Sequence, residues 1–215
     1  GILLLKHNQL PKKLIKLSKK LMVWENWLKK NKFSSLQVCL SFVLNQRHLD
    51  GIVVGYNNTN QLNQILKLKK FIKNKFKRID ILINNAGFSS SNELLTYPEK
   101  IWEKTYKINL KAPYELSKIF APFMIKQKSG VIINITSINS ELAFPDNPAY
   151  VTFKGALKQL SKSLALDLGK HGIRVNNIGP GYFKTTMTEK SWKDKKLRKL
   201  RSQRTILGRW GKPED

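Results

Sequence analysis

The run Gly130-Val-Ile-Ile-Asn-Ile-Thr136 reads as a buried strand of a parallel sheet, and it stops on Ser137. Beyond it, Tyr150 and Lys154 stand four apart in a stretch that reads as helix, so they share one face and can touch. A strand end and a helix start together bring a hydroxyl, a phenol and an ammonium to one crevice. In open α/β sheets ligands bind in that crevice, past the carboxyl ends of the strands.

Those three groups suit proton transfer. A free phenol loses its proton near pH ~10, too high for work at neutrality. A neighbouring ammonium stabilises the phenolate and lowers that value. Tyr150 can then exchange a proton with a carbonyl or alcohol oxygen that Ser137 helps to hold. Tyr-x-x-x-Lys also recurs by chance in a lysine-rich chain, so the neighbouring motifs decide its meaning.

Four further stretches accompany it in order: Asp80-Ile-Leu-Ile-Asn84-Asn85-Ala86-Gly87, Ile108-Asn109-Leu110, the Ser137 strand end, and Arg174-Val-Asn-Asn-Ile-Gly-Pro180-Gly181-Tyr-Phe-Lys-Thr185. From about residue 70 to the end the chain resembles the short-chain dehydrogenase/reductase family. The resemblance implies an α/β fold, a partial Rossmann-like parallel sheet with flanking helices. It implies reversible hydride transfer between NAD or NADP and a carbonyl/alcohol substrate. Asn109, Ser137, Tyr150 and Lys154 match its catalytic set, with Asn109 holding a water that relays protons through Lys154. Asn84, Ala86, Gly87, Pro180, Gly181, Phe183 and Thr185, with Tyr150 and Lys154, match residues that border the cofactor. No metal is implied. A homodimer or homotetramer is, because in this family the helix carrying Phe153, Leu157, Leu160 and Leu164 and the long helix before it form a subunit interface.

Composition admits other readings. The 215 residues carry Lys+Arg 40 against Asp+Glu 14, a formal charge of +26 that invites nucleic acid or an anionic membrane as partner. Neither zinc-finger ligand spacing nor an aromatic RNA-binding motif occurs, and the abundant Lys, Asn and Ile share A/T-only codons. No nucleic-acid or membrane partner is therefore expected. Cys39 is the single cysteine, which excludes an internal disulfide and points to the cytoplasm. Apolar runs stay well short of the ~18 residues of a membrane span. Gly1-Ile-Leu-Leu-Leu-Lys6 lacks the features of a signal peptide, and the absence of an initiator methionine points to a start inside a longer reading frame.

The first 68 residues read differently from the rest. Leu14, Leu17, Leu21, Trp24 and Leu28 predict an amphipathic helix over 11–30, its lysines largely opposite. Such a helix can lie on a membrane, though its stripe more often packs on its own protein. Residues 35–46 read as helix, Asp50-Gly-Ile-Val-Val-Gly55 as a short buried strand and Asn57–Gln61 as a turn. This helix–strand–helix over residues 1–66 resembles the last part of an aldo/keto reductase barrel. That family's catalytic residues would fall upstream of the stretch, so its chemistry is not expected here. The expected domains are thus an aldo/keto-reductase-like remnant over 1–68 and a partial catalytic domain over 69–215. A helix through about 60–77 would join a strand at 52–55 to one at 80–85 as a right-handed βαβ unit, so that Val53 and Val54 pair with Ile81–Ile83.

Further along, Thr96-x-x-Glu99 predicts a capping box with Pro98 in the first turn of a helix running to about 128, which Pro113 and Pro122 should kink or divide. A second long helix runs from Pro148 to Lys170 and stops at His171-Gly172. Phe153 departs from the small residue usual before the family's lysine, and either crowds Lys154 or fills core or interface space. Glu189 to Arg204 holds eight basic and two acidic residues and matches the family's substrate lid, or is simply a solvated helix. No Gly-x-x-x-Gly-x-Gly turn, the usual cradle of a dinucleotide pyrophosphate, occurs anywhere. The expected sheet therefore lacks the usual first three strands and the last. A catalytically silent fusion or fragment that keeps a helical dimer surface is the alternative.

Overall fold

The structure, a computed structural model, describes residue 8, residues 12–33, 35, 52–53, 78–212 and 215. The chain divides into two compact units, Gly1–Ile52 and Val53–Asp215.

In the first unit a 3₁₀ turn over Lys12–Leu17 leads into helix α1, Ser18–Lys30. The apolar spacing behaves as the sequence predicts. Leu21 and Leu28 are buried, Leu17 and Trp24 are half-buried, and Lys16, Lys19 and Lys20 are exposed. Helix α1 stops without glycine: Lys32 takes a left-handed φ of 55°. The Phe33 N–H then reaches the Leu28 carbonyl at 3.0 Å and the Lys32 N–H that of Lys29 at 3.2 Å, satisfying carbonyls the helix end would orphan. The helix expected over 35–46 (Ser35 apart), the turn at 57–61 and the helix at 60–77 lie outside the described residues.

The described strands form one sheet in the order β1 (Ile52–Val53), β2 (Ile81–Asn84), β3 (Gly130–Ile135), β4 (Ile173–Ile178). This order sets the strand at Val53 beside β2, as expected; Val54 is outside the described residues. β2 and β3 are parallel with Ile81 opposite Val131, and β3 and β4 are parallel with Gly130 opposite Ile173. Side chains alternate across the sheet. Leu82, Ile132 and Val175 are buried, whereas Ile81, Ile83, Val131 and Ile133 are half-buried.

Three helices build the layer beside the sheet: α2 (Glu99–Tyr106), which packs on the third, and α3 (Ala112–Gln127) and α4 (Pro148–Gly169), which meet the strands. The expected capping box at Thr96 does not form. Thr96 closes a 3₁₀ turn, Tyr97 and Pro98 are extended, and Pro98 itself is the cap, its carbonyl accepting from Ile101 and Trp102. Between α2 and α3 the chain makes a π-helical turn, Lys107–Lys111. Pro113 explains it, because it has no N–H for the Asn109 carbonyl. The Ala112 N–H instead bonds the Lys107 carbonyl five residues back, and the helix passes the proline unbroken. Pro122 lies within α3 and does not end it.

Leu116 and Met124 of α3, Leu157 of α4 and Ile132 of β3 are each no more than 2% exposed and centre the core. Phe153 joins them, its ring 4.9 Å from Trp102 and 5.5 Å from Tyr106. It fills space between α4 and α2, and burying such a ring is worth roughly 2–3 kcal/mol. Gln127 ties the end of α3 to the approach to β2, accepting from the Ile79 N–H at 2.6 Å and donating to the Ile79 carbonyl at 2.9 Å. Among the described residues no helix is long and apolar enough to cross a membrane.

The stop after α4 is the expected one. The His171 N–H bonds Leu168, and Gly172 turns at φ 75° into β4. A Cβ on Gly172 would stand 2.5 Å from the Lys128 carbonyl oxygen. Gly172→Ala is therefore expected to cost about 1–3 kcal/mol, from the strained φ and the forced shift of residue 128. Urea denaturation checks this, and an unchanged midpoint would refute it.

Candidate active site

Strand β3 and helix α4 deliver the three groups to one place. Lys154 is 3% exposed, and its Nζ donates to the Ile135 carbonyl at 2.6 Å, joining α4 to the last residue of β3. The same Nζ lies 5.7 Å from the centroid of the Tyr150 ring. Ser137 opens a 3₁₀ turn, Ile138–Ser140, where its Oγ accepts from the Asn139 N–H at 3.2 Å and donates to Asn139 Oδ1 at 3.3 Å. Local capping thus holds the serine hydroxyl still.

Burial pushes the Tyr150 phenol above its ordinary pKa of 10, and the Ser137 hydroxyl pulls it partly back. Lys154 is not a cause of this shift, because its ammonium meets the Ile135 carbonyl. Burial also lowers Lys154 from 10.5 to about 8. The phenol is accordingly protonated at neutral pH and stands as a proton donor.

Asn109, on the π turn, is fully buried. Its Oδ1 accepts from the Phe88 N–H and its Nδ2 donates to the Phe88 carbonyl, both at 2.8 Å. The amide therefore pins the chain just after Gly87. A Cβ on Gly87 would stand 3.7 Å from both Asn109 Oδ1 and Lys154 Nζ, so a bare backbone leaves space beside the two atoms.

A cavity of about 480 Å³ opens here. Gly87, Ser137, Tyr150, Lys154, Pro180, Gly181, Phe183 and Thr185 line it, as the sequence leads one to expect. Asn84, Ala86 and Asn109 are not among its lining residues. Asn84 lies beneath the site instead. Its Nδ2 donates to Asn134 Oδ1 at 2.7 Å, Asn134 donates to Ser161 Oγ at 2.7 Å, and Ser161 donates to Asn177 Oδ1 at 2.6 Å. The strand register sets the three asparagines side by side, so one polar chain crosses β2, β3 and β4 at the level where they end.

Sequence reasoning missed Asn139, Asn147, Tyr182 and Arg201, which also line the cavity. Tyr182 lay in the quoted Pro-Gly loop and was legible there. Arg201 had no local signal. It comes from helix α6, Lys195–Gln203, which follows the short α5, Glu189–Lys193. Trp210 anchors this pair: it is 2% exposed, donates to the Arg198 carbonyl at 3.2 Å, and stacks near Tyr182 and Trp192. The stretch is thus a wall of the cavity with a solvated outer face.

The sequence profile described as short chain dehydrogenase matches residues 24–196. The chain belongs to the short-chain dehydrogenase family. It is 41% identical over 137 residues to gluconate 5-dehydrogenase of Gluconobacter oxydans, covering 64% of this chain and 54% of that protein. It is 33% identical over 172 residues to 5-keto-D-gluconate 5-reductase of Escherichia coli, covering 80% and 67%. The chain thus spans about half to two thirds of these relatives' length. Among solved structures it resembles a gluconate 5-dehydrogenase from Burkholderia cenocepacia in complex with NADP and tartrate. The TM-score is 0.67 at 27% identity, over 75% of this chain and 73% of that one. These short-chain dehydrogenase relatives are oxidoreductases by name, and the family match begins at residue 24, well before the expected start near residue 70.

The site's chemistry fits the nicotinamide end of such a cofactor. Gly87 and Gly181 present bare backbone, a Cβ on Gly181 would meet only Ile138 at 4.0 Å, and the Tyr150 phenol lines the same cavity.

The buried lysine gives stability a signature in pH. Folded, Lys154 releases its proton near pH 8; unfolded, it holds it to 10.5. The native state binds fewer protons between those values, so stability rises with pH there, by a few kcal/mol at most. The raised Tyr150 reverses the trend above pH 10, where the unfolded phenol ionises first. Lys154→Met is expected to flatten the rise between pH 8 and 9.5 in urea denaturation; a slope equal to the wild type's would contradict it.

Proposed function

We propose that this chain is an NAD(P)-dependent oxidoreductase that interconverts a carbonyl and an alcohol. The observation that carries the reading is the gathering of Tyr150, Ser137 and Lys154 on the wall of one small-molecule cavity. A nicotinamide, when bound, supplies or takes up the hydride. In the reductive direction Ser137 turns its proton from Asn139 Oδ1 to the carbonyl oxygen, and Tyr150 delivers a proton to that oxygen as charge develops. Lys154 faces the phenolate left behind and stabilises it. Asn109 fixes Phe88 and, with its second Oδ1 lone pair, holds a water that returns a proton through Lys154. Gly87, Pro180, Gly181, Phe183 and Thr185 border the cofactor's reactive end, with Asn84 and Ala86 shaping the turn behind it.

We read β2, β3 and β4 as the fourth, fifth and sixth strands of the family's sheet. This reading leaves the β1 strand outside that set, so that the family's first three strands and its last are missing from it. The Asp50–Gly55 stretch supports an aldo/keto-reductase-like remnant over 1–68, with the catalytic part over 69–215. The compact units divide between Ile52 and Val53, and the family match starts at residue 24. A cytoplasmic homodimer or homotetramer is the setting this reading implies.

A second reading, a catalytically silent fusion or fragment, is favoured by the absence of a glycine-rich turn. Remote cofactor contacts position the reacting centre, and without them binding weakens. Titration with NADPH separates the two, because Trp192 and Trp210 stand near the cavity wall. Quenching of tryptophan fluorescence is expected for the enzyme and none for the silent chain. In steady-state assays Tyr150→Phe is expected to lower kcat/KM by roughly 10²–10⁴-fold while leaving the quenching in place. Turnover within a factor of two of wild type would remove Tyr150 from the mechanism.

A further inference from the structure

Among the described residues Lys154 and Arg201 are the only charged side chains that line the cavity, and no acidic residue does. Lys154 is committed to the Ile135 carbonyl. Arg201 has no such commitment among the described residues. Its guanidinium lies 5.4 Å from the Tyr182 ring centroid and 5.9 Å from that of Trp210, which confine it by cation–π attraction. The nearby carboxylates are occupied elsewhere: Glu189 pairs with Lys193, Asp194 caps the Leu197 N–H, and Asp215 pairs with Arg209.

The other polar lining is hydroxyl and amide. Ser137, Tyr150, Thr185, Ser191 and Asn139 contribute, and Asn147 Oδ1 and the Tyr182 hydroxyl are buried without a partner among the described residues. A wall of this kind favours a ligand with several hydroxyls and one anionic group. A guanidinium fork matches a planar carboxylate with two parallel hydrogen bonds, which an ammonium does not. The volume, about 480 Å³, keeps whatever Arg201 holds within one small molecule of Tyr150.

We propose that Arg201 anchors the substrate's carboxylate, and that the chain acts on small polyhydroxylated keto or hydroxy acids. This rests on the oxidoreductase reading above. Arg201 is a specificity residue here, because it holds the far end of the substrate while Tyr150 and Ser137 meet the reacting oxygen.

The test compares 5-keto-D-gluconate with D-fructose, a ketose of the same carbon number without the carboxylate, using NADPH as reductant. Arg201→Met is expected to lower the acid-to-ketose ratio of kcat/KM by roughly 10- to 100-fold, mainly through the KM for the acid. Arg201→Lys, which keeps the charge and loses the fork, should recover part of that ratio. An unchanged ratio overturns the proposal. So does a loss explained by weaker NADPH binding in fluorescence titration, which would assign Arg201 to the cofactor's phosphates. If the wild type turns over neither probe, the oxidoreductase reading fails. Calorimetric binding of D-gluconate then decides the inference alone: binding that Arg201→Met abolishes supports it, and no binding to the wild type sinks it. Circular dichroism of each variant separates loss of the anchor from loss of the fold.

Discussion

One hydrogen bond sets the geometry of the catalytic half, that from Lys154 Nζ to the Ile135 carbonyl. An ammonium buried this deeply is costly, because its hydration is lost and only part is replaced. The carbonyl at the end of β3 supplies that part and fixes how far along the strand the first turns of α4 can lie. Tyr150, one turn earlier, is thereby aimed at Ser137, two residues beyond the same strand. Shifting the helix by one residue would separate all three.

Beneath this joint, the asparagine chain from Asn84 through Asn134 and Ser161 to Asn177 keeps the strand ends level. Buried amides are tolerated only when paired, so each link constrains the next. Asn84 Oδ1 is left over. The network does not touch the cavity, yet it decides where β2 gives way to Gly87 and where β4 gives way to Pro180. Asn109 works in the same way from the helix side by holding Phe88. Much of the site's precision thus resides in polar groups that no ligand in the cavity would meet.

The large positive charge bears on function only locally. Most of the described lysines are exposed, and in water such charges interact weakly. At Arg201 the same charge is half-buried between aromatic rings and faces a cavity without carboxylates. There the lower polarisability of the surroundings makes it selective for an anion. Tyr182 and Trp210 are consequently more than packing, since they set the direction of that arginine.

Local pattern was enough to determine the strands at 81–84, 130–135 and 173–178, the helix at 148–169 with its stop at Gly172, and the placing of Tyr150 and Lys154 on one helix. Each depends on apolar period, turn chemistry or a four-residue step, all of which are properties of neighbours in the chain. The capping box at Thr96 failed because Tyr97-Pro98 favours extended backbone, a competition the motif alone does not reveal. Asn84, matched by resemblance to the cofactor border, lies beneath the cavity, and only the fold shows which face of its strand is buried. Burial, which raises Tyr150 and lowers Lys154, and the arrival of Arg201 from a helix fifty residues away, required the folded chain. Desolvation and long-range approach are set by what packs around a group, and the sequence does not carry that information locally.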